Sequence, residues 1–322
     1  MTQAGNLTDL SGKLVTVLGG SGFIGTHLAQ HLLARGARLR IACRHPKRAF
    51  RIKPLGNLGQ VQFAGCDVTD GESLARVLAG SDAVVNLVGA FTGDLDAVQG
   101  RGAGLIARAA REAGAARLVH VSAIGADAES RVPYARTKGE GEAAVREAFP
   151  GATIVRPSLV FGPDDNLLAM FGGLIASLPA LPVFAPQAKL QPVFVDDLAE
   201  ALANALADKA AMGQTYEIGG PEVITMLELN RRIAAAQGRE RLLIELPDAV
   251  SEAIATLTGW LPGAPITRQQ WALLKGGNVA SGDLPGLAEL GVRARPLGLF
   301  LDRWMVRFRK HGRFGDKARA GR

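Results

Sequence analysis

Residues 14–25 read Leu14-Val15-Thr16-Val17-Leu18-Gly19-Gly20-Ser21-Gly22-Phe23-Ile24-Gly25. The first five are aliphatic or β-branched, the composition of a strand buried on both faces. Gly19, Gly22 and Gly25 follow at a spacing of three. Phe23, Ile24, Leu28, Leu32 and Leu33 then recur at helical intervals, so a helix opens near Gly22. Strand, glycine turn and helix together form a receptor for a dinucleotide pyrophosphate. Gly19 permits the tight turn. Gly22 lets the phosphates approach the free N–H groups and positive dipole of the helix start, and Gly25 lets helix and strand pack closely. Gly20, Ser21, Phe23 and Ile24 complete the loop. The chain holds 40 glycines in 322 residues, so a bare triplet says little. Its place between a strand and a helix separates it from an ordinary turn.

Working outward, strands and helices alternate. Strands are predicted at 38–43, 61–65, 83–88, 117–122 and 153–156, with helices at 71–79, 99–113 and 134–149. This rhythm predicts an α/β fold, a Rossmann-type doubly wound parallel sheet with helices on both faces. Beyond Pro157 the rhythm loosens. Prolines gather at 179–192; helices follow at 196–208, 225–238, 248–260 and 267–275, with short strands near 191–195, 214–218 and 242–246. The pattern places a dinucleotide-binding domain over 1–160, to which later segments can return. A smaller mixed domain follows over 161–295, then a basic tail over 296–322.

Composition narrows the classes. Hydrophobic residues make up 48%, enough for a sizeable core. Cys43 and Cys66 form neither a disulfide framework nor a Cys-x-x-Cys metal motif, so no metal site is expected. The polar start, Met1–Lys13, reads neither as a signal peptide nor as an Arg-rich transit peptide. The longest apolar stretch, 174–185, is short and broken by Pro179 and Pro182, so no membrane span is expected. If the sequence is the full precursor, a cytoplasmic chain is expected. The net charge of +7 is concentrated: eight Lys or Arg and no acid lie in 35–53, and eight against Asp316 lie in 303–322. Such patches attract phosphates or anionic surfaces. Neither is interleaved with aromatics, so nucleic acid is not the expected partner.

Candidate site residues follow the sheet. Arg44 ends the second strand, 19 residues past Gly25, where an NAD-specific site carries an acid for the ribose 2′-OH. A guanidinium there, backed by Lys47 and Arg48, favours the 2′-phosphate of NADP(H), with NAD(H) left open. Asp67 can accept from the adenine amino group while Val68 packs on the ring; Asp67 equally suits a helix N-cap region. Val88, Gly89 and Ala90 close the fourth strand beside the expected nicotinamide ribose. Ser122 ends the fifth strand and can orient a substrate carbonyl. Tyr134 and Lys138, four apart, share one helix face. An ammonium there would lower the phenol pKa and let Tyr134 exchange a proton near neutral pH.

In order, these motifs resemble the short-chain dehydrogenase/reductase superfamily in its extended and atypical branches, the NAD-dependent epimerases and dehydratases. The match runs over 14–141, and the segments Val155–Pro163 and Gln191–Ala199 resemble that branch's later signatures bordering the substrate site. By this resemblance Ser122, Tyr134 and Lys138 are the catalytic set, and Tyr134, Lys138 and Pro157 also border the cofactor. Only 12 residues separate Ser122 from Tyr134, about half the interval of the extended epimerases, which speaks against a sugar-nucleotide substrate. Ile266–Asn278, Leu290–Val292 and Phe300–Gly312 are similar to one subgroup: the short-chain-dehydrogenase-like accessory subunit of respiratory complex I and its bacterial relatives. That resemblance implies an NADPH kept for structure or redox sensing, a membrane respiratory complex as partner, and a peripheral place on the inner face of the membrane. The alternative is a free NAD(P)H-dependent oxidoreductase or epimerase acting on a small carbonyl compound, for instance on a quinone pathway. Finally, Leu297, Phe300, Leu301, Trp304, Met305 and Phe308 fall at helical spacing opposite Arg303, Arg307 and Lys310. That pattern suits an anionic membrane surface or an acidic partner, and suits equally a helix packed on its own core with a solvated basic tail.

Overall fold

The computed structural model describes residues 10–259, 266–310 and 312. Contacts divide the chain into two units. One comprises the stretch ending at Pro157 together with Val195–Ile218 and Ala280–Arg293; the other comprises Ser158–Phe194, Gly219–Val279 and the stretch from Ala294 onward.

The first unit is built on a parallel sheet. Its strands are β1 (Leu14–Leu18), β2 (Arg38–Cys43), β3 (Val61–Gly65), β4 (Ala83–Asn86), β5 (Arg117–Val121), β6 (Thr153–Pro157) and a seventh, Thr215–Ile218. From one edge the order is Thr215–Ile218, β6, β5, β4, β1, β2, β3. Every neighbouring pair is parallel. All five residues of β1 are buried, as its continuous apolar run requires. Helices α1 (Phe23–Ala34), α2 (Gly71–Leu78), α3 (Arg101–Glu112) and α4 (Pro133–Ala148) provide the crossovers. Leu74, Val77, Leu78, Ile106 and Ala110 pack with Leu18, Val84 and Leu118 of the strands. The strand order reverses between β1 and β4, and ligands of such sheets bind at the carboxyl ends beside that reversal.

Two later segments return to this unit, and their chemistry explains why. Thr215–Ile218 pairs with β6 in the register Thr215↔Ile154 to Ile218↔Pro157. The helix Val195–Ala207 buries 11 of its 13 residues. Such an element needs apolar neighbours around most of its circumference. Asp196 of that helix accepts from His31 of α1 at 2.9 Å. Ala280–Arg293 pins the seventh strand: Ser281 N donates to Glu217 Oε2 at 2.6 Å, and Glu217 N to Pro285 O at 2.9 Å.

The second unit holds three two-stranded pairs: Val160–Phe161 with Val193–Phe194, Lys189–Leu190 with Ile224–Thr225, and Ala180–Val183 with Leu242–Glu245. Its helices are Asn166–Ser177, Met226–Ala236, Asp248–Thr258, Arg268–Lys275 and Gly298–Met305. Of the two readings of the basic amphipathic helix, the structure takes the second for its apolar face. Leu297, Leu301 and Met305 are buried. Phe300 stacks on Phe194 (centroids 4.2 Å apart) and on Trp304 (4.9 Å), and Phe308 lies so close to Gly172 that a Cβ there would sit 2.7 Å from its ring. Arg303, Arg307 and Lys310 remain exposed. Arg313, Lys317, Arg319 and Arg322 lie outside the described residues. Among the described residues, no helix is long and apolar enough to cross a membrane.

Candidate functional site

The glycine turn comes first. Gly19 sits at φ +74°, where an L side chain is strained, and a Cβ on it would lie 3.2 Å from the Leu87 carbonyl carbon. A Cβ on Gly25 would collide with the Gly20 backbone, so only glycine lets α1 seat on the turn. Gly22 is the N-cap of α1 and offers no side-chain cap. Among the described residues the amides of Phe23, Ile24 and Gly25 therefore have no acceptor, the state in which a helix start can hold an anion.

The adenosine side gathers around β2 and β3. Arg44 is exposed just past β2. Asp67 Oδ1 accepts from Thr69 N at 3.0 Å and Thr69 Oγ1 at 2.8 Å. Those bonds, with the Arg44 charge adding to them, hold its carboxyl below the usual carboxylate range. The cap of α2 is Asp70, which accepts from Glu72 N at 3.0 Å, so Asp67 is left for a ligand or the turn. Val68 is half-buried against the core. Lys47 and Arg48 are exposed on a tight helical segment, Pro46–Leu55, that follows β2. The same segment carries Arg51, whose Nη2 donates to Ser21 O and Gly22 O at 3.1 Å each. Sequence reasoning counted Arg51 in the basic run but not in the site. Its spacing, three beyond Arg48 on a helical turn, was the available signal.

The nicotinamide side is held by amide side chains. Asn86 Oδ1 accepts from Val88 N at 3.0 Å, and its Nδ2 pairs with His120 Nδ1 at 2.9 Å. Gln99 Oε1 accepts from Ala90 N at 3.1 Å while its Nε2 donates to Thr137 Oγ1 at 2.9 Å. Gln99 is thereby a tie between the loop after β4 and α4. It owes this place to a π-turn, Asp96–Gly100, ahead of α3. Sequence periodicity starts the helix at Gln99 and shows no π-turn. Lys138 Nζ donates to Val121 O at 3.2 Å and lies where a Cβ on Gly89 would meet it at 3.3 Å. Burial lowers the Lys138 ammonium to about 8, with Glu142 opposing. Ile124 N donates to Pro157 O at 3.1 Å, which ties the loop after β5 to the end of β6.

Tyr134 departs from the sequence expectation. Burial pushes its phenol up to about 12 rather than toward neutrality. Phe91 stacks flat on its ring, centroids 4.7 Å apart and planes 8° off parallel. Lys138 spends a hydrogen bond on Val121 O instead. Ser122 Oγ is buried without a partner, and no direct hydrogen bond joins it to Tyr134. Beneath them, Arg156 grips Glu142 of α4 with two bonds of 2.8 Å, and Arg146 adds a third at 3.2 Å.

Residues 15–219 match the NAD dependent epimerase/dehydratase family. The chain belongs to that family. It is therefore an NAD(P)-binding protein of the short-chain dehydrogenase type. The chain is similar to proteins of different kinds. The mitochondrial NADH dehydrogenase (ubiquinone) 1 alpha subcomplex subunit 9 of Rattus norvegicus is 32% identical over 303 residues, 92% of this chain and 80% of the relative. The ceramide reductase of Caulobacter vibrioides is 31% identical over 265 residues, 79% of this chain and 80% of the relative. Among solved structures, the triphenylmethane reductase of Citrobacter sp. in complex with NADP(H) superposes with a TM-score of 0.71 at 22% identity, covering 90% of this chain and 99% of that one. This last likeness concerns the fold. The relatives thus include both a respiratory subunit and reductases.

Proposed function

We propose that this chain is an NADP(H)-binding accessory subunit of a membrane respiratory complex, using its nucleotide for structure or redox sensing rather than steady turnover. One observation carries the reading: the proton donor of a site whose Lys138 lies beside Gly89 is stacked under Phe91 and held by burial at about 12. The cradle residues fit a phosphorylated dinucleotide. Phe23, Ile24 and Gly25 offer free amides, Arg44 stands where NAD sites carry an acid, and Lys138 lies beside Gly89 within reach of a ribose. A bound NADPH would supply a hydride. Tyr134 would hold the proton, and the buried, unpartnered Ser122 Oγ would orient a carbonyl. A phenol near 12 gives up its proton reluctantly, which suits storage better than cycling. The 32% identity to a respiratory subunit over 92% of this chain supports the partner. With the apolar face of Gly298–Met305 engaged in its own unit, docking would rest on the exposed Arg303, Arg307 and Lys310 and so weaken with salt.

Purification from native membranes in mild detergent tests this. The expected result is co-migration with a respiratory complex, release at high salt, and about one NADPH per chain. A free chain that reduces carbonyl compounds at ordinary enzymic rates, ~1–1000 s⁻¹, would overturn it. The second reading, a free NADPH-dependent reductase, draws on Ser122, Tyr134 and Lys138 all being present and on the reductase relatives. Tyr134→Phe should then abolish carbonyl reduction while sparing NADPH affinity.

A further inference from the structure

Among the described residues, the charged side chain bonded to the glycine turn is Arg51. Its two acceptors, Ser21 O and Gly22 O, belong to successive peptide groups. The N–H of the first peptide closes the turn onto Gly19 O at 3.1 Å. The N–H of the second is that of Phe23, the first of the three amides without an acceptor. Arg51 therefore holds, by their oxygens, the peptide that closes the turn and the peptide that aims the first free amide, Phe23 N–H. Donation to a peptide oxygen also polarises the group and strengthens its N–H as a donor.

The placement runs against the local field. A cation at a helix N-terminus faces the positive end of the dipole. The first turn of α1 carries no acid to offset it, and residues 35–53 contain none. Packing keeps Arg51 there nonetheless: Ala49 and Ile52 on either side are fully buried, and Phe50 sits edge-on to Phe63 at 5.1 Å. An anion bound on the N–H side of the Gly22–Phe23 peptide offsets that repulsion and favours the guanidinium on its oxygen side.

We infer that Arg51 is a positioning residue for the dinucleotide pyrophosphate, acting through the Gly22–Phe23 peptide, while Arg44 serves the 2′-phosphate. The inference rests on the NADP(H)-binding reading. It divides the basic run after β2 into one residue that serves any dinucleotide and one that distinguishes NADP(H) from NAD(H).

Calorimetric titration of wild type, Arg51→Met and Arg51→Lys with NADPH and with NADH, together with melting curves before nucleotide addition, tests it. Arg51→Met should weaken both nucleotides by the same factor, about tenfold for a lost charge-assisted contact, and leave their ratio unchanged. Before nucleotide addition it should melt no lower than wild type, because a misplaced cation has gone. Arg51→Lys should recover part of the affinity. Unchanged affinities would overturn the assignment. A loss confined to NADPH would make Arg51 a reader of the 2′-phosphate instead. Weaker binding with a clearly lower melting temperature would make it a structural brace. A wild-type chain that binds neither nucleotide would sink the cofactor reading itself, and this assignment with it.

Discussion

At the scale of single residues, the chemistry turns on which neighbour reaches a group first. Tyr134 and Lys138 lie on one helix face, as their spacing predicts, yet burial raises the phenol, and Phe91 stacked on the ring is part of what buries it. Phe91→Ala should therefore let Tyr134 ionise at lower pH. The chain has only two tyrosines, so an ultraviolet titration of Phe91→Ala against Phe91→Ala/Tyr134→Phe assigns the moved transition. An unmoved transition would mean that Phe91 is not what covers the phenol. Arg44→Ala should cost NADPH roughly 1.5–3 kcal/mol of binding and NADH little, by calorimetry. Equal losses would remove the 2′-phosphate role. The places of Tyr134, Lys138, Ser122 and Arg44 at the ends and faces of their elements were legible in the sequence because motif spacing marks them. Phe91 was not, because it stands 43 residues from its ring partner and only the fold brings them together.

At the scale of elements, α1 to α4 were legible because each carries one periodic apolar face. The π-turn Asp96–Gly100 was not, since periodicity records a face and not a one-residue change of winding. The helix Asn166–Ser177 was missed as well. No element was assigned there, although Asp165, accepting from Leu168 N at 2.6 Å, is an N-cap visible in the sequence. The seventh strand was read as a short strand of the smaller unit, since nothing local in Thr-Tyr-Glu-Ile names β6 as its partner. The element with most at stake is α4, which carries Tyr134 and Lys138 and is gripped through Glu142. Glu142→Leu strands Arg156, which keeps only the longer 3.6 Å contact to Glu217. Breaking a buried pair this way should cost about 3 kcal/mol in denaturant unfolding, the low end for such losses because Glu217 remains. A cost below about 0.5 kcal/mol would show that the brace is idle.

At the scale of the whole molecule, the titrations of buried groups add into one stability profile. His120 is fully buried, and burial, with Lys138 and Arg146 adding, lowers it to about 3. Its folded value lies below the unfolded one, so the unfolded chain binds the extra proton. Stability should then fall as pH drops from about 6.5 toward 3, with a slope of up to ~1.4 kcal/mol per pH unit from this group alone. Lys138, lowered to about 8, acts in the same sense higher up: stability should rise between pH 8 and about 10.5 as the unfolded chain alone keeps the proton. Denaturant midpoints for wild type and His120→Gln between pH 4.5 and 6.5 isolate the first effect, and identical slopes would refute it. The division of the chain has a different consequence, one of time. The sheet unit takes its seventh strand from Thr215–Ile218 and pins that strand with Ala280–Arg293. On a ribosome adding about 5–20 residues per second, β6 emerges with an unpaired edge on the order of ten seconds before the last of those segments is made. The nascent chain must therefore pass through a stage in which the nucleotide-binding half is synthesised but cannot close, open to aggregation and to chaperones. Only a chain grown past Arg293 can complete it.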